Sequence, residues 1–226
     1  CPMYQTVFDD VGALRAANLG MAAVKLHLER YGSTPDIGKI EDLVNRTRNA
    51  VGPDCLLMLD AFGKWDVATT RKLADRIAKY DIDWIEEPLL PQEIASYSEL
   101  CAHSPIPIAG GEHEYLLNGF SRLMDAGAHD VYQPDVNWCG GLSTLLSIYE
   151  LAKRNDVRVC PHRGSEPFAL PAIMALDPNP LAESGRDWFR VFKPSIDVEP
   201  QPLRCSSTYC NISPTNKSVV NNLSSL

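Results

Sequence analysis

The sequence lacks paired cysteines and long apolar runs. Its seven cysteines are scattered and form no C-x-x-C pair; they are Cys1, Cys55, Cys101, Cys139, Cys160, Cys205 and Cys210. This distribution argues against a disulfide framework or a zinc ribbon and indicates reduced thiols. No apolar run reaches transmembrane length, and no secretory signal opens the chain. We therefore expect a cytoplasmic protein without a membrane partner.

An excess of positive charge is also missing. The 226 residues include 21 lysine and arginine residues against 29 aspartate and glutamate residues, so the formal net charge is −8. Nucleic-acid binding requires a basic surface, and this composition therefore argues against a nucleic-acid partner. An anionic small molecule would need local positive charge from a metal ion or a lysine.

Short apolar runs alternate with helical periods along most of the chain. We predict eight strands, at residues 1–5, 22–28, 56–60, 83–86, 107–112, 130–135, 157–162 and 181–183. Between them we predict helices at residues 7–19, 36–50, 67–79, 91–103, 119–126, 142–153 and 168–175. Strand after strand ends in a titratable residue, at intervals typical of a β/α repeat. The pattern predicts an α/β fold, a (β/α)₈ barrel, whose strands bring their carboxyl ends to one face.

Three of these strand ends carry a carboxylate. Glu86 lies 26 residues after Asp60, and Glu112 lies 26 residues after Glu86. Three acids that converge on one face repel each other unless a cation lies between them. An all-oxygen ligand set favours magnesium over zinc, so we predict a Mg²⁺ site at these residues.

Two basic residues share one face of the second predicted strand. Alternation places Lys25 and His27 together and turns Val24, Leu26 and Leu28 to the other side. Basic side chains on the inner face of a barrel are costly unless they line a polar site. We therefore predict that Lys25 and His27 flank the acids.

The sixth and seventh strands end in Asp135 and His162. A carboxylate beside an imidazole fixes its tautomer and raises its basicity, which suits a general base. A base opposite a metal ion can remove a proton α to a carboxylate while the metal stabilises the dianion. The expected binding partner is a small-molecule carboxylate, and assembly into a homo-oligomer stays open.

Several short strings accompany these strand ends: Ala23-Val24-Lys25, Trp84-Ile85-Glu86-Glu87-Pro88, Gly111-Glu112-His113-Glu114-Tyr115, Gln133-Pro134-Asp135-Val136-Asn137-Trp138-Cys139-Gly140-Gly141 and Pro161-His162. Together they resemble the enolase superfamily, mandelate racemase subgroup, and within it the sugar-acid dehydratases of the L-rhamnonate dehydratase type. The resemblance covers about residues 1–195.

The resemblance implies roles for the residues at the strand ends. The three acids would bind Mg²⁺, and His162, paired with Asp135, would be the base. Lys25 would stabilise the intermediate and contact the substrate. Glu183, at the eighth strand end, would be a further carboxylate in contact with the substrate, and His27 would also contact it. Glu87 is less suited as a metal ligand, because alternation turns it to the other face.

The implied activity is Mg²⁺-dependent dehydration of a sugar acid to a 2-keto-3-deoxy acid. Lys25-Leu26-His27 departs from the Lys-x-Lys pattern of some relatives, and the missing second lysine favours one-base dehydration over racemisation. Arg163 follows Pro-His where glycine is usual in the rhamnonate type, which leaves the sugar acid open. A racemase or epimerase of the same superfamily and a catalytically inactive remnant are the alternatives.

The domain organisation is expected to be simple. Residues 1–204 are predicted to form the barrel, and residues 205–226 a disordered tail rich in serine and asparagine. The chain lacks an initiator methionine and the α+β capping domain that the resemblance places before the barrel. We therefore expect a truncated barrel, weakly active or inactive alone.

Overall fold

The computed structural model describes residues 1–164 and 168–184. Its strands are β1 (Met3–Val7), β2 (Ala23–His27), β3 (Leu56–Asp60), β4 (Ile82–Glu86), β5 (Ile108–Gly110), β6 (Val131–Tyr132), β7 (Arg158–Val159) and β8 (Ala182–Glu183). Its α-helices are α1 (Asp10–Asn18), α2 (Ile37–Val51), α3 (Val67–Ile77), α4 (Ile94–His103), α5 (Leu116–Ala126), α6 (Leu142–Arg154) and α7 (Ala169–Leu176). Short 3₁₀ helices, Glu29–Tyr31 and Ala78–Tyr80, follow β2 and α3. The tail predicted at residues 205–226 lies outside the described residues.

All eight strands belong to one parallel, curled sheet. Their order is β7-β6-β5-β4-β3-β2-β1-β8, so each strand pairs with its neighbour in sequence, and β8 pairs with β1. This is the strand order of a (β/α)₈ barrel, as predicted. Within the described ranges no backbone ladder joins β7 to β8, although Cys160 Sγ lies 3.5 Å from the Leu181 carbonyl oxygen across that gap.

The interior of the sheet is filled by one layer of side chains, with one member from each strand or its flank. This inner layer consists of Tyr4, Ala23, Met58, Trp84, Ala109, Val131, Cys160 and Leu181, all buried. A layer to which every strand contributes requires the sheet to curl around an interior. The inner layer forms the floor beneath the carboxyl ends of the strands.

The second core lies between the sheet and the helices. The outward-facing Val24, Leu26 and Leu28 are fully buried in it, as alternation predicted. Helix amphipathicity supplies the opposing surface, such as Ile40 and Leu43 on α2. This packing holds the helices outside the sheet and leaves the strand ends open to a site.

Two helix starts show how local capping sets the boundaries. Asp66 caps α3 by accepting a hydrogen bond from the Thr69 amide at 2.7 Å. The predicted helix at residues 7–19 starts too early. Val7 belongs to β1, and Asp9 caps α1 by accepting from the Gly12 amide at 2.8 Å.

None of the helices in the described part of the chain is both long and apolar enough to cross a lipid bilayer.

Candidate active site

The predicted metal ligands lie at the same end of the sheet. Asp60 and Glu86 are the last residues of β3 and β4, where they are register partners. His27 is the register partner of Asp60 on the other side. Glu112 lies two residues beyond β5, after a turn at Gly111, whose φ of +109° favours glycine. Parallel pairing in register therefore brings these side chains to one face.

Lys25 is the centre of charge in this site. It is fully buried, and its Nζ lies 2.5 Å from Glu86 Oε1, 3.3 Å from Glu183 Oε1 and 4.0 Å from Asp60 Oδ2. Burial lowers the pKa of Lys25, but the combined effect of the neighbouring carboxylates, led by Glu183 and Glu86, is larger and raises it, so the net shift is upward. Lys25 is therefore a buried cation shared by three carboxylates.

Glu86 is held at both oxygens. Lys25 donates to Oε1, while Gln133 Nε2 donates to Oε2 at 2.6 Å and Trp84 Nε1 to the same oxygen at 3.3 Å. Burial raises the pKa of Glu86, and Lys25 opposes that effect. The three donors fix the orientation of this carboxylate.

Glu183, at the end of β8, is also anchored at both oxygens. Thr6 Oγ1 donates to Oε1 at 2.9 Å, and the Arg163 amide donates to Oε2 at 2.8 Å. Because Lys25 also pairs with Oε1, Glu183 connects β8 to β1 and β2. The structure thus places Glu183 beside Lys25 and within 4.0 Å of His162.

His162 and Asp135 form the predicted pair. His162 Nδ1 lies 2.8 Å from Asp135 Oδ2; a carboxylate only accepts, so Nδ1 carries the proton and Nε2 faces the site. Burial alone lowers the pKa of His162, but Asp135, Glu183 and Glu112 raise it to about 9. Asp135 is held in turn by the Asn137 amide at 2.8 Å.

Glu112 lies between two imidazoles. Its Oε2 is 3.6 Å from His162 Nε2, and its Oε1 is 3.9 Å from His113 Nδ1. The pKa of Glu112 is raised to about 7, chiefly by burial; His162 opposes this rise, and Glu87 and Glu86 add to it. Glu112 therefore interacts electrostatically with His162 as well as with the other acids.

The prediction for Glu87 was wrong in its direction. Glu87 is buried beside His113, whose Nδ1 lies 2.9 Å from Glu87 Oε2, on the same side as Glu112. Strand alternation fails here because β4 ends at Glu86 and Glu87 takes a positive φ of 37°. This backbone turn swings the second acid of the pair toward β5.

His27 lies on the inner face with Lys25, as predicted. Its Nδ1 accepts from the Glu29 amide at 3.4 Å, and its Nε2 lies 4.0 Å from Asp60 Oδ2. The ring stacks on Phe8, with a centroid distance of 5.5 Å, and contacts Phe62 in a tilted arrangement at 5.2 Å. His27 is therefore part of an aromatic wall at the rim of the site.

The donor set fits a magnesium ion in kind. Asp60, Glu86 and Glu112 offer carboxylate oxygens, which Mg²⁺ prefers. Burial raises the pKa values of Glu86 and Glu112, neighbouring carboxylates raise them further, and a cation would oppose both effects. Among the described acids, histidines and cysteines, the group whose ligand atoms approach within 4.8 Å of one another is Glu87, Glu112 and His113. Glu112 is thus common to both sets.

Sequence reasoning missed several polar contacts in this site. Gln133 and Thr6 hold Glu86 and Glu183, and His113 joins Glu87 to Glu112. Alternation back from Asp135 gives Gln133 the same face, and this pattern could have revealed it. His113 follows a turn, where periodicity gives no direction.

Comparison with known proteins identifies the family. The family described as "Enolase C-terminal domain-like" matches residues 10–207. The chain belongs to this family.

Two similar proteins are named as a dehydratase and a cycloisomerase. The chain is 33% identical over 199 residues to an L-rhamnonate dehydratase from Saccharopolyspora erythraea, covering 83% of this chain and 50% of the relative. It is 38% identical over 150 residues to a D-galactarolactone cycloisomerase from Agrobacterium fabrum, covering 64% of this chain and 40% of the relative. The chain therefore spans half or less of the length of these two relatives.

A solved structure shows the same fold with a bound metal. It is an enolase from Bradyrhizobium complexed with magnesium and mandelic acid, with a TM-score of 0.72 and 28% identity. The match covers 81% of this chain and 52% of that chain. The fold of the present chain thus occurs in a relative that binds both magnesium and a small carboxylic acid.

Proposed function

We propose that the chain is the catalytic barrel of a Mg²⁺-dependent sugar-acid dehydratase. The observation that carries this proposal is the His162–Asp135 pair at 2.8 Å, with His162 Nε2 facing Glu112 at 3.6 Å and Glu183 at 4.0 Å. Glu183 in turn contacts Lys25. When His162 is neutral, the tautomer fixed by Asp135 presents a proton acceptor at Nε2, as removal of a carbon-bound proton requires. The dehydratase relative supports the reaction class.

The reaction begins with proton transfer from C2 of the substrate to His162 Nε2. A bound Mg²⁺, held by Asp60, Glu86 and Glu112, would supply positive charge next to the substrate carboxylate. The electron pair released from the C2–H bond forms the enolic double bond. The 3-hydroxyl then leaves as water with a proton returned by His162, and the enol becomes the 2-keto-3-deoxy acid.

Lys25 and Glu183 form a buried ion pair in the site. Lys25 Nζ is surrounded by three carboxylates, so its position suits a fixed cation rather than a mobile base. Inversion at C2 requires a second base on the opposite side of the substrate. The absence of a second lysine at His27 therefore supports elimination over racemisation.

The first test is exchange of the C2 proton of L-rhamnonate and related sugar acids in D₂O, followed by NMR with Mg²⁺ present. We expect weak exchange and loss of water with the 226-residue chain and complete loss of both in His162→Asn. Binding of Mn²⁺, a paramagnetic substitute for Mg²⁺, should persist in the variant. Undiminished exchange in His162→Asn would refute the base assignment.

Product analysis separates the neighbouring reactions. Dehydration lowers the mass by one water, whereas a racemase, an epimerase or a cycloisomerase leaves the mass unchanged. If the unsubstituted chain binds Mn²⁺ but exchanges no C2 proton with any sugar acid, the result would support an inactive barrel.

A further inference from the structure

One buried amide in the site has no part in the reaction as described. Gln133 lies one residue beyond β6 and is fully buried. Its Nε2 donates to Glu86 Oε2 at 2.6 Å. Gln133 therefore connects β6, whose flank also bears Asp135, to a carboxylate at the end of β4.

The orientation of this amide follows from its partner. A carboxylate oxygen accepts hydrogen bonds only, so the NH₂ group of Gln133, not its oxygen, must face Glu86. Trp84 Nε1 reaches the same oxygen at the longer distance of 3.3 Å, and Lys25 takes the other oxygen. Gln133 is thus the closer of the two neutral donors to Glu86 Oε2.

The other end of the amide lacks a partner. Gln133 Oε1 is buried without a hydrogen bond among the described residues. An unsatisfied buried acceptor is unfavourable for folding, and an apolar side chain of the same size would avoid that cost. The amide is therefore better explained by the single hydrogen bond that it donates than by a contribution to stability.

We infer that Gln133 is a positioning residue that orients Glu86 as a metal ligand. This inference rests on the proposed function, because it assigns Gln133 a role only if Glu86 binds a cation. Loss of a hydrogen bond to a ligating carboxylate typically weakens metal affinity by about 10- to 100-fold. Gln133 itself neither binds the cation nor touches the reacting atoms.

The experiment compares cation affinity with stability in the same proteins. Mn²⁺ is titrated into the 226-residue chain and into Gln133→Met, free Mn²⁺ is followed by electron paramagnetic resonance, and melting temperatures are recorded without metal. We expect the Mn²⁺ dissociation constant of Gln133→Met to rise about 10- to 100-fold. The melting temperature should change little, because removal of the orphaned Gln133 Oε1 offsets loss of the donor to Glu86 Oε2, which keeps Trp84 Nε1 as a donor.

Controls separate positioning from packing. The exposed Gln92→Met carries the same chemical change away from the buried amide and should bind Mn²⁺ like the unsubstituted chain. Gln133→Leu repeats the loss of the donor with a second side chain, in case methionine does not fold. Unchanged Mn²⁺ affinity in a folded Gln133 variant would overturn the inference, and so would an affinity loss that accompanies a lower melting temperature. If the unsubstituted chain does not bind Mn²⁺, the proposed function fails first.

Discussion

His129 is a buried base that should make the stability of this protein sensitive to mild acid. The residue precedes β6, and its ring packs edge-on against Tyr97 at 4.5 Å and near Tyr132 at 6.2 Å. Its Nδ1 has no hydrogen-bond partner among the described residues. Burial lowers the pKa of His129 from 6.5 to about 3. The folded state therefore keeps this imidazole neutral where the unfolded chain would protonate it.

The sign and size of the effect follow from linkage. Because the folded pKa of His129 lies below the unfolded value, the stabilisation is complete above pH 6.5 and is lost as pH falls toward 3. With these two pKa values, the loss between pH 7.5 and pH 5.0 amounts to about 2 kcal/mol. Carboxylates and other histidines add their own pH dependence, but the unsubstituted chain and His129→Leu share these groups.

The assay is urea unfolding at pH 7.5 and pH 5.0, followed by tryptophan fluorescence. We compare the decrease in the free energy of unfolding from pH 7.5 to pH 5.0. This decrease should be about 2 kcal/mol smaller in His129→Leu than in the unsubstituted chain. His103→Gln, which alters an exposed histidine, should behave like the unsubstituted chain. An equal pH dependence in His129→Leu and the unsubstituted chain would refute this account of His129.

Two further predictions concern buried positions. Lys25→Met removes the cation shared by three carboxylates and should lower the free energy of unfolding by about 3–5 kcal/mol at pH 7.5 in the presence of a chelator. The control is Lys39→Met, which alters an exposed lysine. Losses of similar size in both variants would contradict the burial argument. Gly110→Ala would place a methyl group 2.8 Å from Cε1 of His129, and chemical denaturation should show a loss of about 1–3 kcal/mol. Unchanged stability of Gly110→Ala would show that the ring moves aside easily.

The parts of the site on regular strands could be predicted from sequence. Lys25 and His27 share a face because β2 alternates strictly, and Asp60 and Glu86 meet because β3 and β4 pair in register. Periodicity fixes direction only within an element. The order of the strands follows from the predicted (β/α)₈ barrel, since consecutive β/α units place consecutive strands side by side.

The remaining features depend on backbone turns and distant contacts. The direction predicted for the Glu87 side chain was wrong because Glu87 takes a positive φ just after the end of β4, and no strand period describes that turn. The start of α1 was missed because the Asp9 cap outweighed the helical spacing that includes Val7 and Phe8. Whether Gln133 bonds to Glu86 depends on the separation of β4 and β6 across the barrel, which a sequence does not contain.

The hydrogen bond from Thr6 to Glu183 has a consequence for the order of folding. It joins residues 177 positions apart, on β1 and β8. Every other strand pair in the described part of the chain joins strands that are consecutive in sequence. Contacts of such long separation are slow to form, whereas neighbouring β/α units pair locally. A growing chain can pair β1 through β7 before Glu183 has been synthesised. We therefore expect Lys25 to acquire its full set of partners late, once β8 has paired with β1.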